Sequence, residues 1–428
     1  MAFTRRSLIG RGALLVASGF LAPSFITRTA MALDASQSVL GPVSLDATKK
    51  NRILVVLQLS GGNDGINTLI PFTDPNYAKL RPSLGVASSD VLRLTDSVGL
   101  NPNLGKLKAL YDQGKMAVVQ GVGYPNPNRS HFRSMDIWHS ASPDTFERSG
   151  WLGRYVSACQ CAQDNALPAI SVGDQLNTMF WTDTTLVPAV ASIGAFSFLT
   201  DTKYKNDRDF QMQTLQNIYS QAGNWSAYES LIRRGTLQAL AGSDELQKVA
   251  ATYQTPVKYL ANNGLANQLK MVAQVINGNL GTRLFSVSMG GFDTHANQKV
   301  NQDKLFGQLG DAVDAFMQDL ANMKRQDDVT IMTFSEFGRR VKQNGSNGTD
   351  HGTAEPMFII GNSVQGGMYG TYPSLGDLDN NGDLKYNADF RSVYAGILRD
   401  VVGADPTPIL SGSYDPIGVI HARFRASG

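Results

Sequence analysis

The stretch Arg52-Ile-Leu-Val-Val-Leu-Gln-Leu-Ser-Gly-Gly-Asn-Asp64-Gly constrains the fold more than any other. An unbroken apolar run of this length, halted by glycines, reads as a strand buried on both faces, at the centre of a parallel sheet. Open α/β sheets hold their ligands just beyond the carboxyl ends of such strands. Gly61 and Gly62 allow a sharp turn and close backbone approach. Asn63 and Asp64 are thereby aimed at that edge, where hard oxygen donors suit a metal, or a phosphate-like group held through one.

Further strand signals recur at 116–122, Ala169–Val172, 283–289, 328–335 and 357–361. Helical spacing marks 103–113, 131–139, 389–402 and a long amphipathic segment over 304–324, with Leu305, Leu309, Val313, Phe316 and Leu320 on one face. The alternation predicts an α/β fold with a mostly parallel, doubly wound sheet. Residues 203–279 are rich in Gln, Ala and Leu and lack a convincing strand, which predicts about three helices inserted as a cap over the loop edge.

The N-terminus reads as an address. Thr4-Arg5-Arg6-Ser7-Leu8-Ile9 resembles the twin-arginine export signal. An apolar stretch over 13–26, broken by Gly19 and Pro23, follows it, then Ala30-Met31-Ala32 as a cleavage site. We expect residues 1–32 to be a signal peptide, 33–50 a lead-in and 51–428 the α/β domain. The export machinery is then a partner, and the protein is periplasmic or secreted. No apolar run is long enough to span a membrane. The signal carries four arginines and no acid, so 34 basic residues face 36 acidic ones without it. That near-neutral balance argues against a nucleic-acid partner. Cys159 and Cys161 are the only cysteines. An exported protein can form a disulfide, but a bond across one residue is geometrically awkward, and we expect two buried free thiols.

Histidine is scarce, with five in 428 residues, and four stand in motif-like settings. Asp293 and His295 follow glycines at the end of an expected strand. They suit a mixed oxygen/nitrogen metal site, or a surface turn with a helix-capping aspartate. Glu336 ends another strand, where a buried carboxylate needs a cation: a metal, Arg339 or Arg340. Asp350 and His351 lie side by side in a glycine-rich loop that can turn both to one ion, or hold a structural histidine. In Arg129-Ser130-His131, Ser130 opens the helix that includes His139. The helix's positive end there favours a nucleophile or an anion, unless the serine is a plain cap. Arg129 suits a phosphate or sulfate oxygen. His421 stands apart. Asp377-Leu-Asp379-Asn-Asn381-Gly382-Asp383 matches half of an EF-hand loop, but Ala388 replaces its bidentate Glu, so a solvated turn is expected.

In order, Leu-x-Gly-Gly-x-Asp64-Gly-x-Asn67, Arg129-Ser-His131-Phe, Gly-Phe-Asp293-Thr-His295-Ala-Asn297-Gln, Ser335-Glu336-Phe-Gly-Arg339, Gly-Thr-Asp350-His351-Gly and Asp389-Phe-Arg391-Ser-Val-Tyr resemble the domain-of-unknown-function family 1501, over about residues 52 to 403. That family is grouped with the alkaline phosphatase and sulfatase superfamily, which cleaves phosphate or sulfate esters with two metal ions and a Ser, Thr or modified Cys nucleophile. The resemblance implies an alkaline phosphatase-like fold, a metal-binding Asp64, a nucleophilic Ser130, an Asp293/His295 metal pair at shortened spacing, and His351 as the last metal histidine. Where the superfamily has Asp-His at a strand's end, this chain has Glu336-Phe337. In another register Asp350-His351 fill that pair, and the last histidine is open unless His421 serves. Either way one ligand is missing.

The expectation is an exported metal-dependent hydrolase of phosphate or sulfate esters, small-molecule or glycan. Asp64, Asp293, His295, Glu336, Asp350 and His351 would divide one or two divalent ions, Zn, Mn, Ca or Mg. Ser130 or a metal-bound water would attack, His131 would protonate the leaving group or orient Ser130, and Arg129 or Arg339 would bind the oxyanion. The alternative keeps the fold without catalysis, as a periplasmic or cell-surface binding protein with a structural metal.

Overall fold

A computed structural model describes residues 43, 45–159, 161, 165–194, 196 and 204–424; the expected signal peptide lies outside them. The apolar run forms β1 (Ile53–Leu59), buried at every position. Eight more strands complete its sheet: β2 (Met116–Gly123), β3 (Ala169–Val172), β4 (Ala189–Val190), β5 (Leu284–Met289), β6 (Val329–Phe334), β7 (Glu355–Ile360), β8 (Gly367–Tyr369) and β9 (Ala388–Asp389). Their order is β8-β2-β7-β6-β1-β5-β3-β4, with β9 beside β2. β1 is flanked in parallel by β5 and β6, with Val55 between Phe285 and Ile331.

The sheet is mostly parallel, as expected, with one reversal. β7 runs antiparallel to both β6 and β2. β6 and β7 are joined by a loop rather than by a crossover helix, and a strand reached that way returns in the opposite direction. The residues just before β7 therefore share an edge with those just after β6.

The described helices of eight residues or more are α1 (Gly105–Asp112), α2 (His131–Ser140), α3 (Trp151–Ala158), α4 (Lys205–Ser220), α5 (Ala227–Thr252), α6 (Gly264–Asn277), α7 (Gln298–Asn322) and α8 (Phe390–Ile397). Side chains of a strand alternate between faces, and β1 divides accordingly. Ile53, Val55, Leu57 and Leu59 enter a core with Leu107 of α1, Leu269 of α6 and Phe316 of α7. Leu54 and Val56 enter a second with Trp138 of α2, Trp151 of α3 and Tyr394 of α8. Within the segment expected as a cap, α6 belongs to the layer against β5 and α7, while Leu215 of α4 and Leu246 of α5 extend the same core.

Two expectations change. α7 begins at Gln298, six residues before the expected start, because the inward positions of its first two turns are polar: Gln298 and Gln302 are buried there. Cys159 and Cys161 form a disulfide rather than two free thiols. The chain end of α3 brings their Cα atoms to 5.1 Å, within the span a disulfide bridges. Among the described residues no helix is long and apolar enough to cross a membrane.

Candidate metal centre

Five loops meet at the carboxyl edge of β1, β2, β5 and β6 and the amino end of β7. Gly61 has φ 120°, and a Cβ there would lie 2.4 Å from the Asp293 nitrogen. Only glycine lets the turn after β1 pack so closely on the loop after β5. An isolated antiparallel bridge pairs Arg339 with His351, fixing the loop before β7 on the one after β6.

Asp293 Oδ1 is the hub. It lies 3.1 Å from His295 Nε2, 3.2 Å from His351 Nε2 and 3.7 Å from His131 Nε2. The Nε2 atoms of His295 and His351 are 3.0 Å apart. His131, Asp293 and His351 each bring one ligand atom within 4.8 Å of the others. The remaining ring nitrogens point outward to acceptors. His131 Nδ1 lies 2.8 Å from Glu336 Oε1, His295 Nδ1 3.0 Å from Asp350 Oδ1, and His351 Nδ1 2.8 Å from the Arg129 carbonyl oxygen. An ionised carboxylate or a carbonyl only accepts, which assigns the hydrogen to each Nδ1 and leaves each Nε2 as a lone pair facing inward. Outer acceptors that fix ring orientation in this way are what metal-ligating histidines carry.

The surrounding charges reinforce this. Arg339 is fully buried. It donates to the carbonyls of Gly61, Gly62, Phe292 and Thr349, and at 2.7 Å to Asp293 Oδ1. It is thus committed to the scaffold rather than open to a substrate oxyanion. Burial pushes the Asp293 carboxyl up, but the Arg339 hydrogen bond and charge outweigh it and hold the group below its ordinary range. The Asn344 amide, with help from His295, lowers the Asp350 carboxyl. Burial pushes the His351 imidazole down, favouring its neutral form. Asp293 keeps about half of its side-chain surface exposed, so the cluster opens to solvent.

Not all the sequence-derived candidates gather here. Asp64 caps a short helix and is fully buried away from the cluster. Both guanidinium nitrogens of Arg81 bind its carboxylate, with Nη2–Oδ1 at 3.0 Å, and the Gln298 amide donates to Oδ2. A carboxylate so paired already has its cation. Glu336 and Asp350 stand behind His131 and His295 instead of facing the hub; Glu336 also accepts the Gly61 N–H at 2.9 Å. Ser130 is the exposed N-cap of α2 and makes no side-chain cap bond. Arg129 Nη1 is 3.1 Å from Asp383 Oδ2, and Arg340 Nε is 3.6 Å from its Oδ1. The half EF-hand is indeed a turn, with Asp379 accepting the N–H groups of Asn381 and Asp383. Asp383 itself, however, is buried rather than solvated, since it serves those two arginines. His139 lies buried between Thr178 and Gln58. Arg81 and Glu355 carry no local sequence signal, and Gln298 stands only as the last position of the Asp293–His295 motif. Glu355 is buried, accepts the Ser335 N–H, and has its carboxyl raised well above the ordinary range by burial.

Fold and site together define an α/β protein with three histidines and one aspartate converging at the carboxyl edge of its central sheet. The chain belongs to the family described as protein of unknown function (DUF1501), whose model matches residues 101–391. No curated protein matches it. Similar solved structures include a protein in the alkaline phosphatase superfamily from Vibrio parahaemolyticus, 10% identical, covering 91% of this chain and 76% of that one at a TM-score of 0.41. The C-terminal periplasmic domain of EcEptC from Escherichia coli, in complex with Zn, is 13% identical over 91% and 92%, at 0.38. The PsFucS1 sulfatase from Pseudoalteromonas sp. is 10% identical over 91% and 79%, at 0.39. These likenesses are too distant to assign an activity.

Proposed function

We propose that this chain is an exported hydrolase of phosphate or sulfate esters that depends on one divalent ion held by His131, Asp293, His295 and His351. One observation carries the reading: the Nε2 atoms of His131, His295 and His351 all lie within 3.7 Å of Asp293 Oδ1, and each Nδ1 faces an outer acceptor. A tetrahedral ion with bonds of 2.0–2.1 Å sets its donors about 3.3 Å apart. Four of the six separations, 3.0, 3.1, 3.2 and 3.7 Å, bracket that value; His131, Asp293 and His351 form the compact triad, and His295 adds a donor beside Asp293 and His351. Three imidazoles favour Zn²⁺ or a neighbouring transition ion over Ca²⁺ or Mg²⁺. Since Asp64 is bound to Arg81 and Glu336 to His131, one ion fits these donors better than two.

A bound ion of this kind neutralises charge on an ester oxyanion and acidifies water. The chain's residues do the rest. Glu336 holds the His131 hydrogen at Nδ1, and Arg339 orients Asp293. Ser130 presents its hydroxyl at the positive end of α2, where a nucleophile or an anionic oxygen is favoured. In this reading His131 is a ligand rather than the acid or the group that orients Ser130. The buried, fully engaged Arg339 favours the second reading, a binding protein with a structural metal, because the guanidinium bonded to the hub is closed to substrate.

The test is metal analysis of the exported protein, followed by assay on nitrophenyl phosphate, a phosphodiester and nitrophenyl sulfate. About one ion per chain and turnover of one ester, both lost in His351→Ala, are expected. An ion without turnover transfers the case to the binding protein; no ion at all ends the reading.

A further inference from the structure

We propose that the molecule handled at the histidine cluster carries a flat apolar group, such as an aryl ring, which is seated in the cavity beside it; this rests on the ester-hydrolase reading above. The cavity has a volume of about 440 Å³ and is walled by Tyr124, Pro127, Trp138, Phe337, Leu384 and Tyr386. Small-molecule sites typically occupy about 300–1,000 Å³.

Phe337 joins the cavity to the cluster. Its ring centroid lies 4.9 Å from that of His131 and 4.6 Å from that of His351. A Cβ on Gly62 would fall 2.3 Å from Phe337 Cε2, so the turn after β1 presses on this ring. Tyr124 and Pro127 belong to the loop that brings the Arg129 carbonyl to His351.

Most polar groups of the wall are already engaged, while the buried Trp138 indole N–H has no partner among the described residues. Tyr124 Oη lies 2.7 Å from Ser134 Oγ. Thr353 Oγ1 donates to the Leu384 carbonyl. Asp379 accepts two backbone N–H groups at 2.8 Å each, and Lys385 pairs with Asp377. Ring faces and aliphatic carbon, with the Trp138 indole N–H, are what remain for a ligand. A sugar would bring several hydroxyls to a wall with few free polar groups, leaving most unmatched at a cost for each. An aromatic ring asks for nothing but surface and ring–ring contact. The chemistry therefore favours an aryl or similarly flat apolar ester over a glycan one. Tyr386, 37% exposed, marks the entrance.

The test compares phenylphosphonate, methylphosphonate and glucose 6-phosphate by calorimetry on the Zn²⁺-loaded protein. Phenylphosphonate should bind roughly tenfold more tightly than the methyl compound, the scale of burying one ring. Tyr386→Ala, at the exposed rim, should cut that preference several-fold. Leu384→Phe should fill the cavity and abolish it, leaving methylphosphonate affinity unchanged in both variants. Equal affinity for the two phosphonates, or a preference for the sugar phosphate, overturns the aryl proposal and leaves the metal site standing. If neither phosphonate binds the metal-loaded protein, phenol binding to metal-free protein decides. Retention by the wild type and loss in Leu384→Phe uphold the cavity while the ester reading fails. Absence of phenol binding overturns both.

Discussion

Nε2 of His295 lies 3.0 Å from Nε2 of His351. With both Nδ1 hydrogens given to Asp350 and Arg129, two lone pairs would face each other at that distance. Something positive must lie between them, either a proton on one ring or a metal ion. Burial lowers the His351 imidazole, which opposes a proton on that ring.

Chelation should therefore destabilise the protein. An ion at a hundred times its Kd stabilises the native state by about 2.7 kcal/mol. Thermal melts with and without a chelator should separate, and re-addition of Zn²⁺ should restore the higher midpoint. In His351→Ala the two melts should coincide. A chelator effect of equal size in wild type and variant would place the ion elsewhere.

In the proposed centre Glu336 would touch the ion only through His131. Glu336→Gln weakens the acceptor behind the ring while nearly preserving shape. Changes to such outer partners typically cost 10–100-fold in metal affinity, so we expect about a tenfold rise in the Zn²⁺ Kd, read by competition with a chromophoric chelator. The fold should be retained, because the amide oxygen still accepts the Gly61 N–H. An unchanged Kd would reduce Glu336 to a scaffold residue.

Asp64 separates stability from metal binding. Removing one partner of a buried ion pair costs roughly 3–5 kcal/mol. Asp64→Asn leaves Arg81 facing a neutral amide and should lose about that much in urea unfolding, with metal content unchanged. Loss of the ion at undiminished stability would return Asp64 to the ligand set.

These residues mark what the sequence can and cannot convey. β1 was legible because a doubly buried strand must be apolar at every position, and glycines end it. The clusters at the sheet edge were legible because histidine is rare and four of five fall in motif-like settings. The reversal of β7 was hidden, since loop or crossover is decided by packing, not by the strand's own residues. The start of α7 was hidden because Gln298 turns a polar side chain inward to Asp64, against the apolar periodicity that reveals helices. The Asp64–Arg81 pair spans 17 residues with no spacing rule to announce it. The sequence marks His131 as a candidate, but a ligand and a general acid look alike until the direction of Nε2 is known.

His139 gives the fold a sensitivity to acid that is independent of the metal. It is buried between Thr178 and Gln58, and burial pushes its imidazole down to about 4 from an ordinary 6.5. A native state that resists the proton, beside an unfolded state that takes it, loses stability as pH falls. The contribution is intact above about 6.5, erodes between 6.5 and 4, and changes no further below. A shift of this size corresponds to about 3 kcal/mol at most. In His139→Gln no ring remains to titrate. Each protein is compared with its own stability at pH 7.5, which cancels the packing cost of the substitution. Wild type should then lose about 2–3 kcal/mol more than the variant on moving to pH 4.5, as read from urea midpoints. Parallel losses in the two proteins would mean that His139 is solvated or already protonated in the native state.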